Sequence, residues 1–255
     1  MNTTDLSLCT PQVVTFTAPE LVCSQNVPSC FKIVHMVRDP LHWAVSFYDF
    51  HRQQPTPETW VSQYRPSCKL PPTLQSQWIR ELNPFGFDAA LLKAASTACK
   101  ALAQLNASYL QNMLILPEAE GVRFVAYINV LDASHRAAGA DVMRSAANAV
   151  VIRNHRVLNL FMDDTIEDVT SSMTRLATFI SKAGFPAASA PQLRRTFIEL
   201  ENTTINLAKS GASPPVHVTA FASSCERKAA LISRLKRDPV LTAITAAWYR
   251  ALNAA

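Results

Sequence analysis

The segment "KIVHMVRDPLHWAVSFYDFHR", residues 32–52, joins a short apolar run to a mostly apolar helical pattern through a single junction. The apolar run before Arg38 is typical of a strand buried on both faces of a parallel sheet. Asp39 is a good helix N-cap and Pro40 suits the first helical position, so the pattern predicts a strand, a minimal turn and a helix. Ligands of open α/β sheets bind beyond the carboxyl ends of the strands, which is where Arg38 lies.

Ser46 interrupts the apolar pattern of the predicted helix eight residues after Arg38. It follows His42 by four residues and therefore shares its helix face. At a rise of ~1.5 Å per residue, Ser46 is about 9 Å along the axis from Pro40, so Arg38 must lie along the helix flank if both side chains bind one anion. The spacing leaves a second interpretation open, in which the arginine pairs with a carboxylate and the serine is tolerated in the helix.

The same segment resembles the 3′-phosphate-binding segment of sulfotransferases that use 3′-phosphoadenosine 5′-phosphosulfate. The family pattern is an apolar strand, Arg-Asp-Pro or Arg-Asn-Pro, and a helix similar to "AVSFYDF", which stands here at 44–50. In that family the arginine and a serine eight residues later hold the 3′-phosphate. The resemblance therefore implies that Arg38 and Ser46 bind the nucleotide.

A second segment, "RVLNLFMDDTIEDVTSSMTRLATFISKAGFP" at 156–186, resembles the family's later strand, acidic pair and helix. Asp163 and Asp164 stand in the place of the family's Glu-Asp pair. The two segments together cover about a fifth of the chain, in the family's order. The fold implied is α/β and helix-rich: a narrow parallel sheet with helices on both faces, as in the P-loop-NTPase-like sulfotransferase fold, incomplete at its N-terminus.

The family's second nucleotide site, a lysine-bearing loop that cradles the 5′-phosphosulfate at a helix N-terminus, has no counterpart before Arg38. "AKSGAS" at 208–213 has a similar residue order and makes Lys209 a further nucleotide-binding candidate. Two prolines follow at 214–215, where the phosphate-binding helix would continue. A polar loop at a helix end is therefore the alternative for this segment.

The catalytic base is unassigned, because Thr17 stands where many members of the family carry a histidine, and a hydroxyl does not take up a proton at neutral pH. His42 is the only candidate retained for that role. Near the C-terminus, Arg227 and Lys228 are further candidates for the 3′-phosphate, as counterparts of the family's Arg-Lys-Gly loop. The glycine is absent here, so an ordinary helix face is the other interpretation.

The composition of the chain is compatible with one domain over residues 1–255, since 49% of its residues are hydrophobic. Its formal charge of +5 suits an anionic nucleotide, while its basic residues are too scattered to predict nucleic-acid binding.

The six cysteines show no metal-ligand spacing, which predicts reduced, mostly buried thiols and no metal. No apolar run has the length of a membrane span and the opening residues do not resemble a signal peptide. The compartment is not determined by the residues: a complete chain is expected in the cytoplasm, and the Golgi lumen stays open if an N-terminal anchor is missing.

Hydrophobic periodicity and the positions of glycine and proline predict the remaining elements. They are strands at 12–17, 31–37 and 157–162; helices at 40–53, 118–150 with an interruption near Gly139, 165–183, 189–209 and 225–253; two helices within 74–115, broken near 83–86; and an irregular segment at 54–73 with one helical turn near Trp60. The helix at 165–183 is expected to bury one face through its regularly spaced apolar residues Ile166, Val169, Met173, Leu176, Phe179 and Ile180.

The expected reaction is transfer of a sulfuryl group from 3′-phosphoadenosine 5′-phosphosulfate to an acceptor hydroxyl or amine. The alternative is a truncated or degenerate, non-catalytic member of the family that at most binds adenosine 3′,5′-bisphosphate. A generic nucleotide kinase-like domain is a third interpretation, without a positive feature in the sequence. The acceptor cannot be read from the residues.

Overall fold

A computed structural model describes residues 33–53, 58–70, 72–104, 106–131, 157–181, 191–196, 198–199 and 225–254. Its strands are β1 (Ile33–Val37) and β2 (Val157–Phe161). Its helices are α1 (Pro40–Gln53), α2 (Thr59–Gln63), α3 (Pro72–Leu82), α4 (Ala89–Leu102), α5 (Tyr109–Ile115), α6 (Glu118–Leu131), α7 (Met162–Glu167), α8 (Val169–Ser181), α9 (Cys225–Leu235) and α10 (Pro239–Asn253), with a 3-10 turn at Asn83–Phe85. Residues 191–196 and 198–199 are also helical. The coarse class, helix-rich α/β, is therefore as predicted.

The chain forms two compact units, one containing β1, β2, α7 and α8 and the other containing α1 to α6, α9 and α10. In the first unit β1 and β2 pair in parallel, in a register that sets Ile33 opposite Val157 and Val37 opposite Phe161. The predicted strand at 12–17 lies outside the described residues. One domain over residues 1–255 stays a prediction.

The expectation that β1 is buried on both faces is wrong. Val34 and Met36 are exposed to 41% and 52%, whereas Val37 is only 4% exposed. Side chains alternate between the two faces of a strand, so Val34 and Met36 share the exposed face. An apolar run shows that a strand is apolar on both sides, but it does not show what covers each side.

The second unit is built around α6, which is buried along most of its length. Ten of its residues between Gly121 and Leu131 are buried. A helix that is apolar all round is one that packs on every side, and α6 contacts α1, α4, α5 and α9. The approach of α1 is close, because a Cβ atom added at Gly121 would lie 2.7 Å from Cε2 of Tyr48. Glycine at this position therefore lets α1 and α6 pack together.

Several predicted helices are present but divided. The break expected near 83–86 is confirmed, and Gly86 there has a φ of +89° that favours glycine. The predicted pair of helices within 74–115 is three helices, since Ser108 and Gln111 form a capping box that starts α5. The helix predicted at 118–150 is described as far as Leu131, and residues 132–150 lie outside the described part of the chain.

Two further divisions occur at aspartates. Asp168 separates α7 from α8 and accepts a hydrogen bond from the backbone N–H of Ser171 at 2.9 Å. Asp238 separates α9 from α10 and caps the latter. Aspartate side chains offer the backbone a local alternative to helical hydrogen bonds, which apolar periodicity does not register.

The apolar face predicted for 165–183 is only partly buried in α8. Met173 is 4% exposed and is therefore a core residue. The other apolar positions of α8 are half-buried, namely Val169, Leu176, Phe179 and Ile180. Helical spacing thus identifies the face that turns inward, but not how deeply each of its residues is covered.

The prediction that the thiols are reduced is wrong for one pair, because Cys68 and Cys99 form a disulfide. Both cysteines are buried, as expected, at 2% and 0% exposure. They are 31 positions apart, and α4 brings Cys99 to the segment that carries Cys68. Pairing over this separation depends on the tertiary fold, which cysteine spacing does not reveal. The cysteines at 9, 23 and 30 lie outside the described residues.

Candidate functional site

The junction before α1 has the local structure that the sequence predicts. Oδ1 of Asp39 accepts hydrogen bonds from the backbone N–H groups of Leu41 at 2.8 Å and His42 at 3.0 Å. Its Oδ2 accepts a hydrogen bond from the Tyr249 hydroxyl at 2.9 Å. Asp39 is buried, and its carboxylate therefore caps α1 and ties its first turn to α10.

Arg38 and Ser46 are brought together along the flank of α1. Nη2 of Arg38 donates a hydrogen bond to Oγ of Ser46, and the two atoms are 2.7 Å apart. Ser46 is only 6% exposed. The Arg38 side chain therefore lies along the flank of α1. This is the position it needs if Arg38 and Ser46 are to bind one anion.

This pair has the chemistry of half an anion site. A guanidinium offers a fixed fork of N–H donors and keeps its positive charge at any physiological pH. Because the Ser46 hydroxyl accepts from Arg38, its own proton can be donated to an anion oxygen. The bond between the two side chains holds both groups at one place on the helix.

The histidines near this site differ in environment. His42 is half-buried, one turn before Ser46, and its backbone N–H takes part in the Asp39 cap. His51 is 1% exposed, and its Nδ1 is 3.0 Å from the carbonyl oxygen of Phe47. The ring of His51 also packs against Phe47 and Trp60. His51 is therefore a packed core residue, while a role for His42 as the base stays a prediction.

Arg227 contacts two carboxylates of the protein. Its Nη2 donates to Oδ1 of Asp49 at 2.8 Å, and its Nε donates to Oε1 of Glu118 at 2.9 Å. These bonds raise the pKa of Arg227, with the bond to Asp49 the largest cause and burial opposing it. Arg227 thereby joins α9 to α1 and α6, which is a structural role. Lys228 is half-buried beside it, and Lys209 and Thr17 lie outside the described residues.

The acidic pair that resembles the family's Glu-Asp lies in the first turn of α7. Asp163 is half-buried there and Asp164 is exposed. Carboxylates are favourable at this end of a helix because the exposed N–H groups carry partial positive charge. The pair follows a strand as predicted, but the helix begins at Met162 and not at residue 165, so the two aspartates lie within the helix.

A second Arg-Asp-Pro triplet stands at 237–239, outside the segments 32–52 and 156–186 that resemble the sulfotransferase family. Asp238 caps α10 by accepting from the backbone N–H groups of Val240 at 3.0 Å and Leu241 at 3.2 Å. Its Oδ2 accepts from the Tyr127 hydroxyl at 2.7 Å and from Nη2 of Arg123 at 2.8 Å. Asp238 thus repeats the arrangement of Asp39, because each aspartate caps a helix and accepts a hydrogen bond from a tyrosine hydroxyl. The recurrence of the Arg-Asp-Pro triplet is the sequence signal that could have predicted this role for Asp238.

The two triplets differ in what their arginines do. The residue eight positions after Arg237 is Thr245, as Ser46 is for Arg38. Arg237 is exposed, and within the described part of the chain the buried Oγ1 of Thr245 has no hydrogen-bond partner. The triplet by itself is therefore a helix-capping pattern, and the bond between arginine and hydroxyl distinguishes the first copy from the second.

Among the described residues, no cluster of histidine, cysteine, aspartate and glutamate side chains has the composition of a metal site. Within the same part of the chain, no helix combines the length and the apolar character needed to cross a membrane. Comparison of the chain with protein-family models, with curated proteins and with solved structures found no match.

Proposed function

We propose that the chain is a sulfotransferase-like domain in which Arg38 and Ser46 hold the 3′-phosphate of 3′-phosphoadenosine 5′-phosphosulfate. The observation that carries the proposal is the 2.7 Å hydrogen bond that places the guanidinium of Arg38 on the hydroxyl of Ser46. The parallel pairing of β1 with β2 supports it, because these are the strands of the two segments that resemble the family. The finer fold proposed is the P-loop-NTPase-like sulfotransferase fold.

Binding in this half-site is electrostatic and directional. A phosphate oxygen accepts from the Arg38 guanidinium in a charge-assisted bond worth about 1.5–3 kcal/mol, and the Ser46 hydroxyl adds a bond of about 0.5–1.5 kcal/mol. The 3′-phosphate is the group that separates this nucleotide from adenosine 5′-phosphates. The site would therefore make the protein selective for nucleotides that carry a 3′-phosphate.

The proposed reaction transfers the sulfuryl group to an acceptor hydroxyl or amine. The bond between sulfur and the bridging oxygen of the 5′-phosphate breaks, a bond between sulfur and the acceptor atom forms, and the acceptor proton leaves to a base. Such transfer depends on positioning and on stabilising the charge of the transferring oxygens. His42 is the proposed base, since it is half-buried and one turn from Ser46.

A second candidate is a non-catalytic protein that binds adenosine 3′,5′-bisphosphate alone. It is favoured by Arg227, whose contacts with Asp49 and Glu118 give this arginine a structural role in place of the nucleotide role implied by the resemblance. Incubation with radiolabelled sulfate donor and a panel of phenols, sugars and amines separates the two candidates. Turnover that His42→Ala abolishes supports the enzyme, and absence of turnover with intact nucleotide binding supports the binding protein.

Titration calorimetry with adenosine 3′,5′-bisphosphate tests the half-site itself. We expect Arg38→Ala to weaken binding about 10- to 150-fold and Ser46→Ala to weaken it less. The second triplet provides matched controls, because Arg237→Ala and Thr245→Ala alter the same sequence pattern without the Arg38–Ser46 bond. Equal effects of Arg38→Ala and Arg237→Ala would overturn the proposal.

A further inference from the structure

The segment that carries Cys68 is fastened to α4 by two links. One is the disulfide to Cys99, and the other is a hydrogen bond of 2.7 Å from Oγ of Ser96 to the carbonyl oxygen of Cys68. Cys68 has a φ of +52°, a conformation that is uncommon for residues other than glycine. Disulfides persist in oxidising compartments and are rare where thiol reductants act, so this pairing is a marker of the compartment.

The turn between α4 and α5 carries a second, independent marker. Residues 106–108 read Asn-Ala-Ser, an acceptor triplet for N-linked glycosylation. Asn106 is exposed and lies in a turn with a φ of +68°, a conformation that asparagine adopts more readily than most residues. A glycan is bulky and solubilising and therefore requires a surface position of this kind.

We propose that this chain folds in an oxidising, glycosylating compartment, where Cys68 and Cys99 are joined and Asn106 carries an N-linked glycan. The disulfide and the exposed triplet are separate features that indicate the same environment. The proposal does not depend on nucleotide binding, and it assigns the chain to the secretory route.

Both modifications have defined chemistry. Joining Cys68 to Cys99 removes two protons and two electrons, which a protein disulfide oxidant accepts. At Asn106, the side-chain nitrogen bonds to the anomeric carbon of the first sugar of a lipid-linked oligosaccharide. The bond from that carbon to the lipid diphosphate breaks, the diphosphate leaves, and the amide nitrogen loses one proton.

The capping of α5 sets the order of events at the triplet. In the folded chain, Oγ of Ser108 accepts from the backbone N–H of Gln111 at 3.2 Å, and Ser108 is 4% exposed. A transferase that reads the Ser108 hydroxyl must therefore act before α5 is capped. Asn106 stays exposed afterwards, so the attached glycan leaves the packing of α4 and α5 unchanged.

The test uses the protein from cells that naturally produce it, with free thiols alkylated at lysis. Digestion with an N-glycosidase converts a glycosylated asparagine to aspartate, which peptide mass spectrometry locates. We expect aspartate at position 106 and an unalkylated, disulfide-linked pair of peptides containing Cys68 and Cys99. Unmodified Asn106, or alkylated Cys68 and Cys99, would overturn the proposal. The peptide readout is needed because Asn2 and Asn202 also stand in acceptor triplets.

Substitutions in the same cells separate the glycan from helix capping. Asn106→Gln should abolish the modification, whereas Asn253→Gln, at an exposed asparagine outside any triplet, should retain it. Ser108→Thr should also retain it, because threonine preserves both the triplet and the cap. Persistence of the glycan-bearing peptide in Asn106→Gln would contradict the assignment.

Discussion

The carboxylate of Asp238 is a polar group whose removal should strongly destabilise the second unit. It accepts hydrogen bonds from the backbone of Val240 and Leu241, from the Tyr127 hydroxyl and from the Arg123 guanidinium. Asp238→Ala removes all of these acceptors at once. The substitution uncaps α10, leaves the buried Tyr127 hydroxyl unsatisfied and removes one of the two carboxylate partners of Arg123, whose Nη1 still contacts Oε2 of Glu120 at 2.9 Å.

The cost follows from these losses. Removing one partner of a buried ion pair costs about 3–5 kcal/mol, and loss of an N-cap separately costs about 1 kcal/mol. The Arg123 side chain is 32% exposed and keeps Glu120 as a partner, so its charge stays partly compensated and a total cost of about 3 kcal/mol is expected. Asp238→Asn keeps a cap and an acceptor for Tyr127 and should cost about 1 kcal/mol.

Denaturant unfolding, followed by circular dichroism, measures the free energies of unfolding. Asp88→Ala is the matched control, because Asp88 is an exposed cap that accepts from the backbone N–H of Leu91 at 2.8 Å in α4. It should cost about 1 kcal/mol. If Asp238→Ala destabilises the chain no more than Asp88→Ala does, the reasoning about the buried carboxylate is refuted.

Burial alone would raise the pKa of Asp238, but hydrogen bonds from Tyr127 and Arg123 outweigh it and lower the pKa overall. The charged carboxylate therefore stabilises the fold at any pH above the ordinary pKa of an aspartate. The difference in unfolding free energy between wild type and Asp238→Asn should therefore shrink as pH falls below about 4, and a constant difference would contradict this. Gly121→Ala should cost about 1–3 kcal/mol, because the new Cβ meets the Tyr48 ring, and a neutral effect on the melting curve would argue against the close helix contact. Reduction of the disulfide should lower unfolding stability by about 3–4 kcal/mol, as its 31-residue separation implies, and unchanged stability under reductant would show that no such link forms.

Sequence reasoning located the features that depend on near neighbours in the chain. Asp39 and Pro40 start α1 because capping and a preset φ act within one turn. The contact of Arg38 with Ser46 spans more than two turns, and it was within reach of the sequence because the rise of the helix and the length of an arginine side chain allow the guanidinium to lie beside Ser46.

Features that depend on distant parts of the chain were missed. The pairing of Arg227 with Asp49 spans 178 positions, and no local pattern relates the two residues. The disulfide between Cys68 and Cys99 and the exposure of Met36 likewise depend on which elements meet in space. The Arg-Asp-Pro triplet indicates that Asp238 caps a helix, but its partners Tyr127 and Arg123 lie 111 and 115 positions away in the chain.

A thermodynamic cycle measures directly whether Arg38 recognises a 3′-phosphate. Calorimetry would measure the affinity of wild type and of Arg38→Ala for adenosine 3′,5′-bisphosphate and for adenosine 5′-monophosphate, which lacks the 3′-phosphate. We expect wild type to prefer the bisphosphate by at least about tenfold and Arg38→Ala to lose most of that preference. Equal affinity of wild type for the two nucleotides, or a preference that survives Arg38→Ala, would contradict this expectation.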